Sequence, residues 1–79
     1  MPTISFNGTA RSVPQETTVI DLVAGATRRS LAADGTPHDG GRLGVAVAVD
    51  AVVVPRSLWS RTPVAEGQNV EIVTAIQGG

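Results

Sequence analysis

Polar and apolar residues alternate from the start of the chain. In "TISFNG", Ile4 and Phe6 share one face and Thr3 and Ser5 the other, the two-residue period of a half-buried strand. Asn7-Gly8 is a strong hairpin-turn dipeptide, and "ARSV" reads as a short returning strand. Residues 2–14 are therefore predicted to form a hairpin. Pro14 stops it, having no N–H to give to a ladder. The period then lengthens. Across "TTVIDLVAGATRRSL", residues Val19, Ile20, Leu22, Val23 and Ala26 form a broad apolar stripe at helical spacing. Thr18 stands where it can cap the start, with Asp21 close to the capping-box position. Gly25 weakens such a helix by about 1 kcal/mol relative to alanine; a residue that small could also let the helix pack closely on a sheet.

"ADGTPHDGGR" (33–42) holds three glycines, a proline and two aspartates, and is predicted to be a flexible loop. Alternation returns in "LGVAVAVDAVVVPR". Val45, Val47 and Val49 share one face with alanines between them, which predicts a central strand covered on both sides. Asp50-Ala51 reads as a tight bend and Val52–Val54 as a short strand closed by Pro55. "RSLWS" predicts one helical turn laying Leu58 and Trp59 over an end of the core. Glu66-Gly67 and Gln68-Asn69 turn the chain into "VEIVTAI", a last strand with Val70, Ile72, Thr74 and Ile76 on one face. An extended tail is expected over 75–79.

This order predicts a single α+β domain over 1–79, a mixed sheet of four to five strands with one main helix packed on one face. The first and last strands should lie side by side in parallel, joined through a right-handed helical crossover. That arrangement is the β-grasp.

Composition narrows the chemistry. The chain has 79 residues and no cysteine, so disulfides, thiolate metal sites and redox thiols are excluded. One histidine, His38, falls in the predicted loop and makes a zinc site a poor fit. Phe6 and Trp59 are the only aromatics, so the core must be aliphatic. The formal net charge is −1 with no strongly basic segment, which argues against a nucleic-acid surface. Arg28-Arg29 reads as a solvated helix end. No stretch approaches the length of a membrane span, and the start of the chain lacks the layout of a signal peptide. The expectation is a cytoplasmic protein.

No catalytic constellation emerges. Ser and Thr residues lack a histidine partner in a triad pattern, and the seven carboxylates form no dyad that spacing identifies. Gly40-Gly41 does not open a helix after a strand, as a phosphate loop would. The reading is of a protein that is not an enzyme, binds no cofactor and holds no metal. The end of the chain is different. At a glycine usage of about 7%, two terminal glycines arise by chance in roughly 0.5% of chains, which is rare enough to ask for a mechanism. A chain end that threads into a narrow active site benefits from carrying no side chains. Its reactive group would be the α-carboxylate of Gly79, with Gly78 easing the threading.

A small β-grasp pattern ending in Gly-Gly resembles the ubiquitin-like sulfur carriers. Within them, "VAVAVDAVVVPRSLWSRTPVAEGQNVEIVTAIQGG" resembles the ThiS family, the sulfur carriers of thiamine biosynthesis. The valine-alternating strand, the bend, "VVPR" (53–56), Trp59, Glu66-Gly67, "VEIV" (70–73) and the final "QGG" carry the resemblance. It covers 43–79 closely and 2–32 more loosely. It does not cover 33–42, where this chain is longer. Asp50 stands where the family usually has asparagine, and Gln68 where an aspartate usually follows the glycine; both are turn positions.

The resemblance implies a sequence of partners. A ThiF-like adenylyltransferase would use MgATP to adenylate the Gly79 carboxylate. A sulfur donor such as a cysteine desulfurase persulfide would convert it to a thiocarboxylate, which would deliver sulfur to a ThiG-like thiazole synthase. Arg56, Trp59, Ile76 and Gln77 would then form the partner-binding face; for Trp59, packing over the core edge is the other reading. The free carrier is expected to be monomeric. Three alternatives share parts of this pattern: a carrier of the molybdopterin synthase small-subunit type or of another sulfur pathway, a ubiquitin-like modifier forming isopeptide bonds, and an interaction module whose glycines are incidental.

Overall fold

The computed structural model describes residues 1–40 and 44–74. Strand β1 (Thr3–Phe6) turns into β2 (Thr9–Ser12) through Asn7-Gly8. Both turn residues have positive φ, 50° and 84°, the geometry that matches the twist of a two-residue hairpin. Helix α1 (Val19–Thr27) follows, then β3 (Val45–Val49), β4 (Val52–Val54), a 3-10 helix over Arg56–Arg61, and β5 (Asn69–Thr74). The five strands form one mixed sheet in the order β2-β1-β5-β3-β4. As the alternation predicts, β1 and β5 are parallel neighbours, with Ser5 opposite Asn69 and Phe6 opposite Val70. The other pairings are antiparallel.

One face of the sheet is buried. Ile4, Val47 and Val70 from the strands meet Val19, Leu22 and Val23 of α1, with Trp59 closing the end. The helix residues stand at i, i+3 and i+4, so one stripe reaches the core. Thr18 starts the helix: its backbone N–H donates to the Asp21 carboxylate at 2.9 Å and its hydroxyl to the same oxygen at 3.1 Å. The helix is shorter than its periodicity predicts. It ends at Thr27 instead of reaching Leu31, because Arg28 takes a left-handed conformation, φ 56°, and closes the last turn onto the Ala24 carbonyl.

Two further expectations are corrected. Strand β3 lies beside the middle strand β5 and is covered on one face only; Ala46 is exposed and Ala48 half-buried on the other. A Val-Ala alternation is apolar on both faces, yet alanine is small enough to stand at the surface without a covering layer. Gly25 does not face the sheet either. It is exposed, and a Cβ there would meet nothing within 4 Å.

Candidate functional site

Gly78, Gly79, Ile76 and Gln77 lie outside the described residues, as does the rest of the expected 75–79 tail. The strand that leads to them is well anchored. In β5, Val70 is fully buried between β1 and β3, and the final described pair sets Thr74 opposite Val45, the first residue of β3. The Ile72 N–H donates to the Asn7 side-chain oxygen at 2.8 Å. The Asn7 amide thus continues the β1–β5 pairing after the β1 backbone has turned away.

Pro55 starts the 3-10 helix that carries Arg56, Leu58 and Trp59. Trp59 is 1% exposed, and its indole N–H donates to the Val54 carbonyl at 3.0 Å. A buried indole needs such an acceptor, and the bond ties the 3-10 helix to the end of β4. Its burial puts Trp59 in the packing role. Arg56 is at the surface, with its guanidinium 5.9 Å from the centre of the Trp59 ring, within cation–π range. Leu58 projects outward and is 43% exposed.

Residues 30–40 carry structure that composition did not reveal. The His38 N–H donates to the Ser30 carbonyl and the Ala32 N–H to the Thr36 carbonyl, with Leu31 bridged to Pro37. These bonds make a miniature hairpin whose tip is closed by Gly35 N–H to Ala32 carbonyl, 2.8 Å. At its base the Ser30 hydroxyl lies 2.8 Å from His38 Nδ1, and Arg29 pairs with Asp39 at 2.8 Å. At the tip, Asp34 accepts from the Thr36 hydroxyl at 2.6 Å and the Thr36 N–H at 3.0 Å. These two bonds, the hydroxyl first, hold the Asp34 carboxyl below its ordinary value, and Arg56 adds to the effect. Gly35 and Pro37 are buried. Gly35, at φ 87°, lies against Arg56 so closely that a Cβ would overlap the arginine Cγ. The Asp-Gly pair at 34–35 was the available sequence signal, but without flanking strands of ordinary length it reads as loop.

The two positions that depart from the family pattern both complete their turns. Asp50 and Ala51 have φ of 49° and 68°, and the Asp50 carboxylate accepts the Asn69 N–H at 2.9 Å. An asparagine oxygen would accept in the same way. The Gln68 side chain accepts the Ala65 N–H at 2.7 Å.

The outer face of the sheet was not singled out by sequence. Ala46 lies beside Val73 and Ala48 beside Val53, and the two valines are 61% and 68% exposed. The exposed Glu71, which pairs with Ala48, puts a carboxylate on the same face, so apolar Val53 and Val73 flank a charged position there. Among the described residues no group of three or more His, Asp or Glu is placed to hold a metal ion, and no helix is long and apolar enough to cross a membrane.

Comparisons with known proteins agree with this geometry. The model of the ThiS family matches residues 4–79. Among solved structures, the chain resembles a thiamine biosynthesis protein (ThiS) from Geobacter metallireducens at a TM-score of 0.67 and 23% identity, over 98% of this chain and 99% of that one. At that identity the likeness concerns the fold, which is the β-grasp. A search of curated protein sequences finds no match.

Proposed function

The chain belongs to the ThiS family, the sulfur carriers of thiamine biosynthesis, and from that membership we propose that it carries sulfur as a thiocarboxylate on Gly79. The observation that carries the proposal is a family match running through Gly78-Gly79 in a chain without cysteine. Sulfur has no side chain to ride on, so the chain end is the remaining carrier.

A carboxylate is a poor acyl donor, so it must first be activated. In a ThiF-like adenylyltransferase holding MgATP, a Gly79 carboxylate oxygen attacks the α-phosphorus and pyrophosphate leaves. A sulfur nucleophile, such as a persulfide from a cysteine desulfurase, then attacks the acyl carbon and expels AMP. The acyl disulfide so formed is cleaved by a second thiol, which becomes disulfide-bonded to the donor cysteine and leaves the thiocarboxylate on Gly79 for a ThiG-like thiazole synthase to consume. In this cycle the protein is a co-substrate and not an enzyme; the nucleotide belongs to the partner and the chain binds no cofactor of its own. The domain acts as a single rigid handle in the cytoplasm, and the 75–79 tail enters each partner in turn.

Docking falls to the outer face of the sheet, where Val53 and Val73 are exposed, and to the exposed Leu58 on the 3-10 helix. Arg56 adds a cation at its edge, Trp59 supports the 3-10 helix from below, and Ile76 and Gln77 meet the mouth of the partner's channel. Deleting Gly79 should leave the melting temperature unchanged and abolish growth without thiamine in a strain that depends on this gene. A deletion variant that still supports such growth contradicts the proposal.

A further inference from the structure

We propose that the miniature hairpin over residues 30–38, held down by Arg56, is a recognition element for the adenylating enzyme that receives the tail; this rests on the carrier reading above. The hairpin is built, not merely present. Its backbone bonds pair Ser30 with His38 and Ala32 with Thr36, and its tip sits on Arg56 through a contact that only a residue without a Cβ allows. Arg56 in turn lies over Trp59, which is bonded to Val54. A continuous line of contacts therefore fixes the tip relative to the core.

The hairpin is anchored on one side, where Leu31 packs against the core and Gly35 and Pro37 are buried. Fixing each backbone residue costs about 1–2 kcal/mol of conformational entropy. That anchoring offsets the cost and leaves the other side of the hairpin, Ala33, Asp34 and Thr36, held in place and exposed. Surface loops held by a rigid scaffold are where binding residues concentrate. Placement gives the partner. The tip rests on Arg56, two residues past Val54; Val54 pairs with Val47, and two residues along the same strand Val45 pairs with Thr74, which is five residues from Gly79. Beside it, Leu58 follows Arg56 by two positions and is exposed. An enzyme that draws in the tail meets this corner of the domain. The matching surface on it would offer a cation or N–H donor to Asp34 and an apolar contact to Leu58. In this reading Arg56 is a positioning residue, bracing the hairpin from within the carrier.

The test is steady-state adenylation of the full chain by its ThiF-like enzyme, followed as pyrophosphate release, for wild type, Ala33→Arg, Arg56→Ala and Arg56→Lys. Ala33 is exposed and makes no side-chain bond, so Ala33→Arg alters the tip without threatening the fold. Contacts remote from the reacting carboxylate act equally on ground and transition states and move KM alone. Ala33→Arg should therefore raise KM about fivefold or more with kcat unchanged, and Arg56→Ala should raise KM in the same direction. Arg56→Lys, keeping the stem and the charge, should recover most of the loss. An unchanged KM for Ala33→Arg, in a wild-type chain that is adenylated, overturns the hairpin proposal and leaves the carrier reading standing. A wild-type chain that is not adenylated at all overturns both.

Discussion

Gly35→Ala tests the seat between the hairpin and the 3-10 helix, and its cost can be worked from two separate terms. The first is backbone strain: at φ 87°, a residue with a Cβ loses about 1–2 kcal/mol. The second is the contact. The new Cβ would overlap Arg56 Cγ and stand 2.9 Å from Cδ and 3.0 Å from the Arg56 carbonyl oxygen. The side chain can swing away, giving up its place over Trp59, but the carbonyl cannot, and forced overpacking costs about 1–3 kcal/mol. A smaller unfolded-state gain of about 0.4–1 kcal/mol offsets part of this. Gly8→Ala supplies the control. Its φ is 84°, almost the same, and nothing lies within 4 Å of the added carbon, so it carries strain without contact. Urea unfolding should place Gly35→Ala about 1–3 kcal/mol below Gly8→Ala. A domain of this size has only about 4–12 kcal/mol in total, so the difference is easily read. In an Arg56→Ala background the excess should shrink, since Cγ and Cδ are gone. Equal costs for the two glycines would refute the close seating of the hairpin on Arg56.

Three further outcomes are expected. Gly25→Ala should stabilise the protein by about 0.5–1 kcal/mol, raising the melting temperature by a few degrees, because Gly25 is helical, exposed and unobstructed; a loss of stability would mean that the helix packs closely there after all. Trp59→Phe should cost about 1–3 kcal/mol in urea unfolding, since it strips the Val54 carbonyl of its donor and leaves a void; a neutral result would contradict the burial of the indole. The Asp34 carboxyl titrates below its ordinary value of 3.8 because Thr36 bonds favour the ionised form. Its support of the hairpin is therefore complete above that pH and lost as pH falls through the lowered value. In Thr36→Val the Asp34 midpoint, followed by NMR, should move upward toward 3.8; an unmoved midpoint would remove the hydroxyl as the main cause.

What the chain revealed by itself was whatever depends on a repeating period or an obligate turn residue. Ile4 and Phe6 alternate, Asn7-Gly8 turns, and Val19, Leu22 and Val23 keep helical spacing, so β1, β2, α1 and the parallel β1–β5 pairing were legible. The helix end was not, because Arg28 occupies the left-handed position that glycine usually marks. The bare side of the sheet was hidden because alanine at 46 and 48 satisfies either a buried or an exposed face. The 30–38 hairpin was hidden because it is too short for alternation to register, and its order comes from backbone bonds and from Arg56, distant in sequence. As for the site, Gly78 and Gly79 stood out by residue type alone, while Ile76 and Gln77 were readable only through likeness to a family. Trp59 covers the core end as its place in "RSLWS" predicted, whereas Leu58 points outward and the bond from Trp59 to Val54 followed from packing that no spacing announces.

The central claim is tested most directly by the intact mass of the untagged protein after incubation with its adenylating enzyme, MgATP and a sulfide source. The account requires a mass gain equal to the exchange of one oxygen for sulfur, located at Gly79 by fragmentation. An unshifted mass in the presence of an enzyme that visibly releases pyrophosphate, or sulfur found anywhere other than Gly79, would contradict it.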